Sequence, residues 1–155
     1  MDRTTPHAQT AAANPFKEID MAANFISSLS LRTLLAVDAA TCVLMGAALS
    51  AAPQALGDAL GLPPAFVGWA GLLLFPCALL MLATALPRAT PPALAWLVVI
   101  GNAAWVIASV LVATLVFTPT ALGVAFVLAQ ALAVALIAAL EYRALPRRAT
   151  AAHYA

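Results

Sequence analysis

The chain alternates long apolar runs with short connections. Nearly uninterrupted apolar residues cover 31–51, 65–86, 93–116 and 120–142. Each run has the roughly 20 residues that an α-helix needs to cross a hydrocarbon core about 30 Å thick. The connections carry the helix-breaking residues Pro53, Gly57, Gly61, Pro63, Pro64, Pro87, Pro91, Pro92 and Pro119. The pattern therefore predicts an all-α polytopic membrane protein, an antiparallel bundle of four transmembrane helices within residues 30–145.

The two ends of the chain are more polar than the middle. Residues 1–29 predict an N-terminal tail, and residues 146–155 predict a C-terminal tail. In the first, Asn14-Pro15 is typical of a helix start, an N-cap followed by proline. Apolar residues then recur at helical spacing, so a short helix in the membrane interface at 15–27 is one prediction for this segment. An unstructured tail is the other.

The basic residues predict the orientation of the bundle. All of them precede or begin the first run, lie between the second and third, or follow the fourth: Arg3, Lys17, Arg32, Arg88, Arg143, Arg147 and Arg148. The other two connections contain no Lys or Arg. Because basic residues favour the cytoplasmic side, we expect a multi-pass protein of the cell inner membrane with both termini cytoplasmic.

The first apolar run has an alternative interpretation. Arg32, the apolar residues after it and Ala48-Leu49-Ser50 resemble the parts of a cleaved signal peptide. Asp38 would interrupt the apolar region of such a peptide, and cleavage would leave three spans. We therefore predict that this run is the first transmembrane helix.

Composition agrees with a membrane protein. Hydrophobic residues make up 65% of the chain, charged residues 8%, and the mean hydropathy is +1.01. Soluble domains are close to half apolar and about a quarter charged. The net charge of +1, without a basic stripe, argues against a nucleic-acid partner. The expected partners are the lipid bilayer and either a larger membrane protein or further copies of the chain.

Residues that carry enzymatic chemistry are few. Cys42 and Cys77 stand singly in apolar runs, so no CxxC or zinc-ligand spacing is present. His7 and His153 both lie in the tails. The sequence has no Gly-rich phosphate loop, no Ser-His-Asp set and no cluster of acidic residues for a metal. We therefore expect no enzyme activity, no catalytic residue, no cofactor and no metal.

Asp38 is the first of four candidate polar residues inside the membrane. It lies about two helical turns beyond Arg32, roughly 10 Å from the start of the span at 1.5 Å per residue. Apolar surroundings favour the neutral form of an isolated carboxyl group. One hypothesis is that Asp38 loads and releases a proton. The other is a structural bond to a neighbouring helix, or a contact with Arg32 through water.

Asn102, Trp105 and Gln130 complete the candidate set. Asn102, Trp105 and Ser109 share one helical face, which we expect to face the bundle interior and either line a substrate path or pack helices. Asn102 and Gln130 lie near the middle of their spans, where we expect a hydrogen bond between them. Glu141, close to Arg143, is expected to be a solvated charge at a helix end.

Small residues predict where helices approach closely. They recur at every fourth position in the first and fourth spans: Gly46 and Ser50, and Ala125, Ala129 and Ala133. Such spacing lets helix backbones come together in membranes. Tight bundling or association with another protein is the expected result.

Three segments carry a family resemblance: Leu60-Gly61-Leu62-Pro63-Pro64, Gly101-Asn102-Ala103-Ala104-Trp105-Val106 and the stretch 123–143. In them the chain resembles uncharacterised small four-helix inner-membrane proteins of bacteria. The resemblance covers most of residues 31–145 and implies the fold and the membrane, without an activity. The expected function is that of a non-enzymatic accessory or scaffold component of a membrane complex. The alternative is a small proton-coupled transporter that acts as a homo-oligomer through Asp38.

Overall fold

The computed structural model describes residues 29–145, which contain helices and no strand. The helices are α1 (Leu31–Ala51), α2 (Pro53–Leu60), α3 (Pro64–Ala85), α4 (Pro92–Leu111) with a π-helical end (Val112–Val116), and α5 (Ala121–Ala144). The C-terminal tail, the interfacial helix and all but one residue of the N-terminal tail lie outside the described residues.

Four of these helices are long and apolar enough to cross a membrane: α1, α3, α4 with its π-helical end, and α5. The predicted all-α, four-helix arrangement is thus confirmed, and the chain is a multi-pass membrane protein. Their ends lie close to the ends of the apolar runs, because the chain leaves each helix where its apolar residues give way to proline-containing segments.

The short helix α2 was not predicted, because its segment shows mainly helix-breaking residues. Those residues instead mark its two ends. Pro53 occupies the first helical position, where its missing N–H costs no hydrogen bond. Gly61 ends the helix in the left-handed conformation, with φ at 67°, and its N–H donates to the carbonyl of Gly57.

The spans form two hairpins. α1 packs most extensively on α3, and α4 packs on α5; contacts of α1 with α5 and of α3 with α4 close the ring. Arg32, at the start of α1, donates to the carbonyls of Ala85 (2.8 Å) and Leu86 (3.2 Å) at the end of α3. Neighbouring spans are therefore antiparallel. We name the end that carries Arg32, Arg88 and Arg143 the basic end, and the opposite one the α2 end.

Glycines bring α1 and α3 into backbone contact. A Cβ atom added to Gly46 would lie 2.9 Å from the carbonyl oxygen of Gly71. One added to Gly71 would lie 2.6 Å from Ser50 Oγ and 2.8 Å from Leu49 Cβ. All three distances are shorter than ordinary van der Waals contact, so only glycine fits at either position without movement. The close approach expected at Gly46 and Ser50 is present in this hairpin.

At the α2 end, the start of α5 is tied to α2. The backbone N–H of Thr120 donates to the carbonyl of Leu60 at 3.0 Å, and its hydroxyl donates to the carbonyl of Ala59 at 2.9 Å. The same hydroxyl accepts from the N–H of Gly123 at 3.1 Å and so caps α5. These bonds join the two hairpins and set the depth of α5 in the bundle.

Candidate functional site: a buried acid pair

Two acidic side chains meet in the interior of the bundle. Asp38 on α1 is 2% exposed, and Glu141 on α5 is 0% exposed. Asn102 on α4, 7% exposed, lies between them. Its Nδ2 donates to Asp38 Oδ2 at 2.8 Å and to Glu141 Oε2 at 3.1 Å. The amide group of Asn102 thus donates one hydrogen bond to each of two carboxyl groups. We name Asp38 and Glu141 the acid pair.

Glu141 is buried, so the prediction of a solvated charge at this helix end is wrong. Glu141 lies about five helical turns after Gly123, a buried residue, and so shares the inward face of α5. The next residue, Tyr142, is 58% exposed. Glu141 Oε1 is buried with no hydrogen-bond partner among residues 29–145. The helical face on which Glu141 lies, rather than its nearness to the end of α5, was the sequence signal that indicates its burial.

Asp38 accepts a hydrogen bond from another helix, as one of the hypotheses for this residue proposed, and Arg32 does not contact it directly. The Arg32 guanidinium donates to the two carbonyls at the end of α3. Within residues 29–145, no Lys, Arg or His forms an ion pair with either acid. Two carboxylates in an apolar interior repel each other, and each carries a large desolvation penalty. Such a pair is stable when a proton or another cation accompanies it.

Asp38 and Asn102 line a pocket of about 350 Å³ between the four spans, which we name the acid pocket. Asp38, Thr41, Asn102 and Gln130 contribute the polar part of its wall. The rest of the wall is apolar or sulfur-containing, with residues from α1, α3, α4 and α5. A positive group that enters this pocket therefore meets carboxyl oxygens at one side and apolar surface elsewhere.

A second pocket, of about 330 Å³, extends from the first toward the α2 end. Phe66, Trp69 and Phe126 are among its lining residues. Trp105 and Gln130 line both pockets and form the boundary between them. The two predicted residues thus lie beside each other, at a cavity wall.

Gln130 does not bond to Asn102, which corrects the predicted pair. Trp105 Nε1 donates to Gln130 Oε1 at 3.2 Å, and Gln130 Nε2 donates to Ser109 Oγ at 3.1 Å. Depth can be counted in residues from the basic end, along α4 for Asn102 and along α5 for Gln130. On this count Gln130 lies about four residues deeper than Asn102, which is roughly 6 Å. It is therefore level with Trp105. The face that carries Asn102, Trp105 and Ser109 does turn toward the interior, with Asn102 and Ser109 buried.

The four predicted residues thus form two adjacent hydrogen-bonded groups, one with Asp38 and Asn102 and one with Trp105 and Gln130. Glu141, which belongs to the first group, was not among the predicted residues. Among the described residues, no three His, Cys, Asp and Glu side chains are grouped to hold a metal ion. Proton binding and cation binding are the chemistry that the acid pair offers.

Comparisons of the chain with models of protein families, with curated proteins and with solved structures find no match.

Proposed function

We propose that the protein is a small membrane carrier that exchanges a proton for a monovalent cation at the acid pair. One observation carries the proposal: Asp38 and Glu141 are buried and share the amide of Asn102, and Asp38 and Asn102 line a pocket. An unaccompanied charge in such an interior costs several kcal/mol. A proton and a solute cation therefore compete for one place, and that competition is the basis of exchange.

The groups that face the pair support this assignment. Asp38 and Cys42 come from α1, Cys77 from α3 and Glu141 from α5, whereas α4 contributes the uncharged Asn102. All are acids or neutral groups, so none supplies a positive charge. The counter-charge of the pair is then free to be exchanged, in contrast to a buried ion pair, whose cation is a fixed side chain.

A transport assay tests the proposal. The protein is reconstituted into liposomes that enclose a pH-sensitive dye in an acidic nitrate buffer, and tetraphenylphosphonium or silver nitrate is added outside. We expect at least one of these cations to release protons from the lumen. Asp38→Asn and Glu141→Gln should each abolish the release, because an amide keeps the shape of the carboxyl group and holds no exchangeable acidic proton.

Asp58→Asn is the matched control. Asp58 is exposed on α2, so the same chemical change there should leave the rate unaltered. Proton release that persists at the full rate in Asp38→Asn would overturn the carrier proposal. Absence of release with both cations in the wild-type protein would do the same.

The orientation belongs to this proposal. We place the basic end in the cytoplasm and the α2 end on the outer side of the inner membrane of a bacterial cell. The reason is that all seven basic residues belong to the basic end or to the chain segments that continue from it, and none belongs to the two connections at the α2 end. A reporter that is active only outside the cytoplasm should be active when fused after Pro53 and inactive when fused after Arg88 or Arg148. The reverse pattern would show the opposite orientation.

An accessory subunit is the second candidate function. Ala125, Ala129 and Ala133 form an exposed stripe on α5, and such small residues permit a partner helix to approach closely. In that case Asp38→Asn should alter only stability, by about 1 kcal/mol for a lost interhelical bond. Purification from native membranes in mild detergent separates the two: a stoichiometric larger partner supports the subunit, and a homo-oligomer supports the carrier.

A further inference from the structure

The sulfur-containing residues of the membrane domain all line one pocket. The chain has two cysteines, and residues 29–145 contain two methionines. All four line the acid pocket: Cys42, Met45, Cys77 and Met81. We name these four residues the sulfur cluster. Sulfur-containing side chains also serve as ordinary apolar packing, but here none of the four lies elsewhere in the bundle.

Two neighbouring helices present the cluster. Cys42 and Met45 are three residues apart on α1, and Cys77 and Met81 are four apart on α3, so each pair shares a helical face. α1 and α3 are the hairpin held in backbone contact by its glycines. Cys42 Sγ and Met81 Sδ are 4.0 Å apart across it, and neither cysteine is in a disulfide.

This arrangement fits one class of ion. Thiolate and thioether ligands select soft ions, with Cu(I) the typical monovalent case, whereas carboxylate, carbonyl and water suit hard ions. At a metal–sulfur bond length of roughly 2.3 Å and a trigonal angle, two sulfur ligands lie about 4 Å apart. The two sulfur atoms that cross the hairpin already have this separation.

We propose that the sulfur cluster is a binding site for Cu(I). On binding, the S–H bond of one cysteine breaks, a Cu–S bond forms, the proton leaves to water, and no electron is transferred. The product of one thiolate and one monovalent ion is neutral, which lowers the cost of holding it in an apolar pocket. Methionine thioethers complete the coordination without added charge. The proposal identifies the cation of the exchange: the ion bound at the cluster is the one that displaces the proton of Asp38 in the same pocket, and only this transport depends on the proposed function.

Silver, a soft monovalent ion with no redox chemistry in this setting, is the probe. Ag⁺ as the nitrate is titrated into the full chain, purified in detergent, by calorimetry, and its ligands are counted by X-ray absorption. We expect one ion per chain with three or four sulfur neighbours, and no binding of K⁺. Met81→Leu and Met45→Leu should each weaken binding at least about tenfold, since even outer-shell partners of a metal typically contribute that much.

The methionine variants distinguish a built site from simple reaction with a thiol. Leucine conserves the volume of methionine, so these variants should fold, and an unchanged helical circular dichroism spectrum checks this. Ile137→Val, at a pocket-lining position without sulfur, should keep wild-type affinity. Two sulfur neighbours only, or unchanged affinity in both methionine variants, would overturn the site. Silver bound as expected, with no proton release by either cation in liposomes, would leave the site standing and overturn the carrier instead.

Discussion

Replacing Asn102 with leucine is expected to lower the free energy of unfolding of the bundle by about 3 kcal/mol, because a buried polar atom without a partner costs about 1–3 kcal/mol. The substitution removes both bonds that Asn102 donates and leaves Asp38 Oδ2 and Glu141 Oε2 buried without this donor. Denaturant titration of the protein in detergent micelles, followed by circular dichroism, measures the change.

The control is the triple variant Asp38→Leu, Asn102→Leu, Glu141→Leu. Removing all members of a buried polar network is close to neutral or stabilising when apolar groups of similar size replace them. We therefore expect the triple variant to recover most of the stability lost by Asn102→Leu alone. A triple variant no more stable than the single one would show that the carboxyl groups do not cause the loss.

The second large effect is expected at Gly71. Gly71→Ala should destabilise the protein by about 2 kcal/mol, within the 1–3 kcal/mol typical of an overpacked core. The added Cβ atom would lie 2.8 Å from Leu49 Cβ and 2.9 Å from the backbone N of Ser50, neither of which can rotate away. Because α1 also carries Asp38, the forced separation of α1 from α3 should weaken the bond of Asp38 to Asn102.

Gly101→Ala is the matched control for this prediction. Gly101 lies in a helix as Gly71 does, but a Cβ atom there meets no described atom within 4 Å. Alanine favours a helix over glycine by up to about 1 kcal/mol, so this variant should be neutral or slightly more stable. The same denaturant titration compares the two. Equal stability changes at the two positions would contradict the close packing of α1 on α3.

The secondary structure of the spans was predictable because the bilayer imposes one strong condition on the sequence. Backbone polar groups in hydrocarbon must bond within their own segment, so an apolar run of sufficient length has to be a helix. Proline and glycine then set the ends. The exception was α2, whose residues 53–60 are too short and too rich in helix breakers to stand out from a loop.

The candidate site was predictable only in part. Asp38, Asn102, Trp105 and Gln130 were identified because polar residues are costly in a membrane and so are rarely placed at random. Their partners were not, because a hydrogen bond between helices depends on the depth and rotation of each helix. Gln130 proved to be level with Trp105, and Glu141, close to a helix end, proved to be buried.

The amino-acid sequence by itself determined the membrane environment, the number of spans and the set of polar residues available inside them, because these follow from the hydropathy and length of local segments. Only the tertiary structure decided that Asp38 and Glu141, about a hundred residues apart, share one amide, and that the sulfur atoms of α1 and α3 face one pocket. Those relations depend on which helices are neighbours and how each is rotated. Contacts such as Gly46 with Gly71 and Thr120 with Leu60 set both, and no local pattern records them.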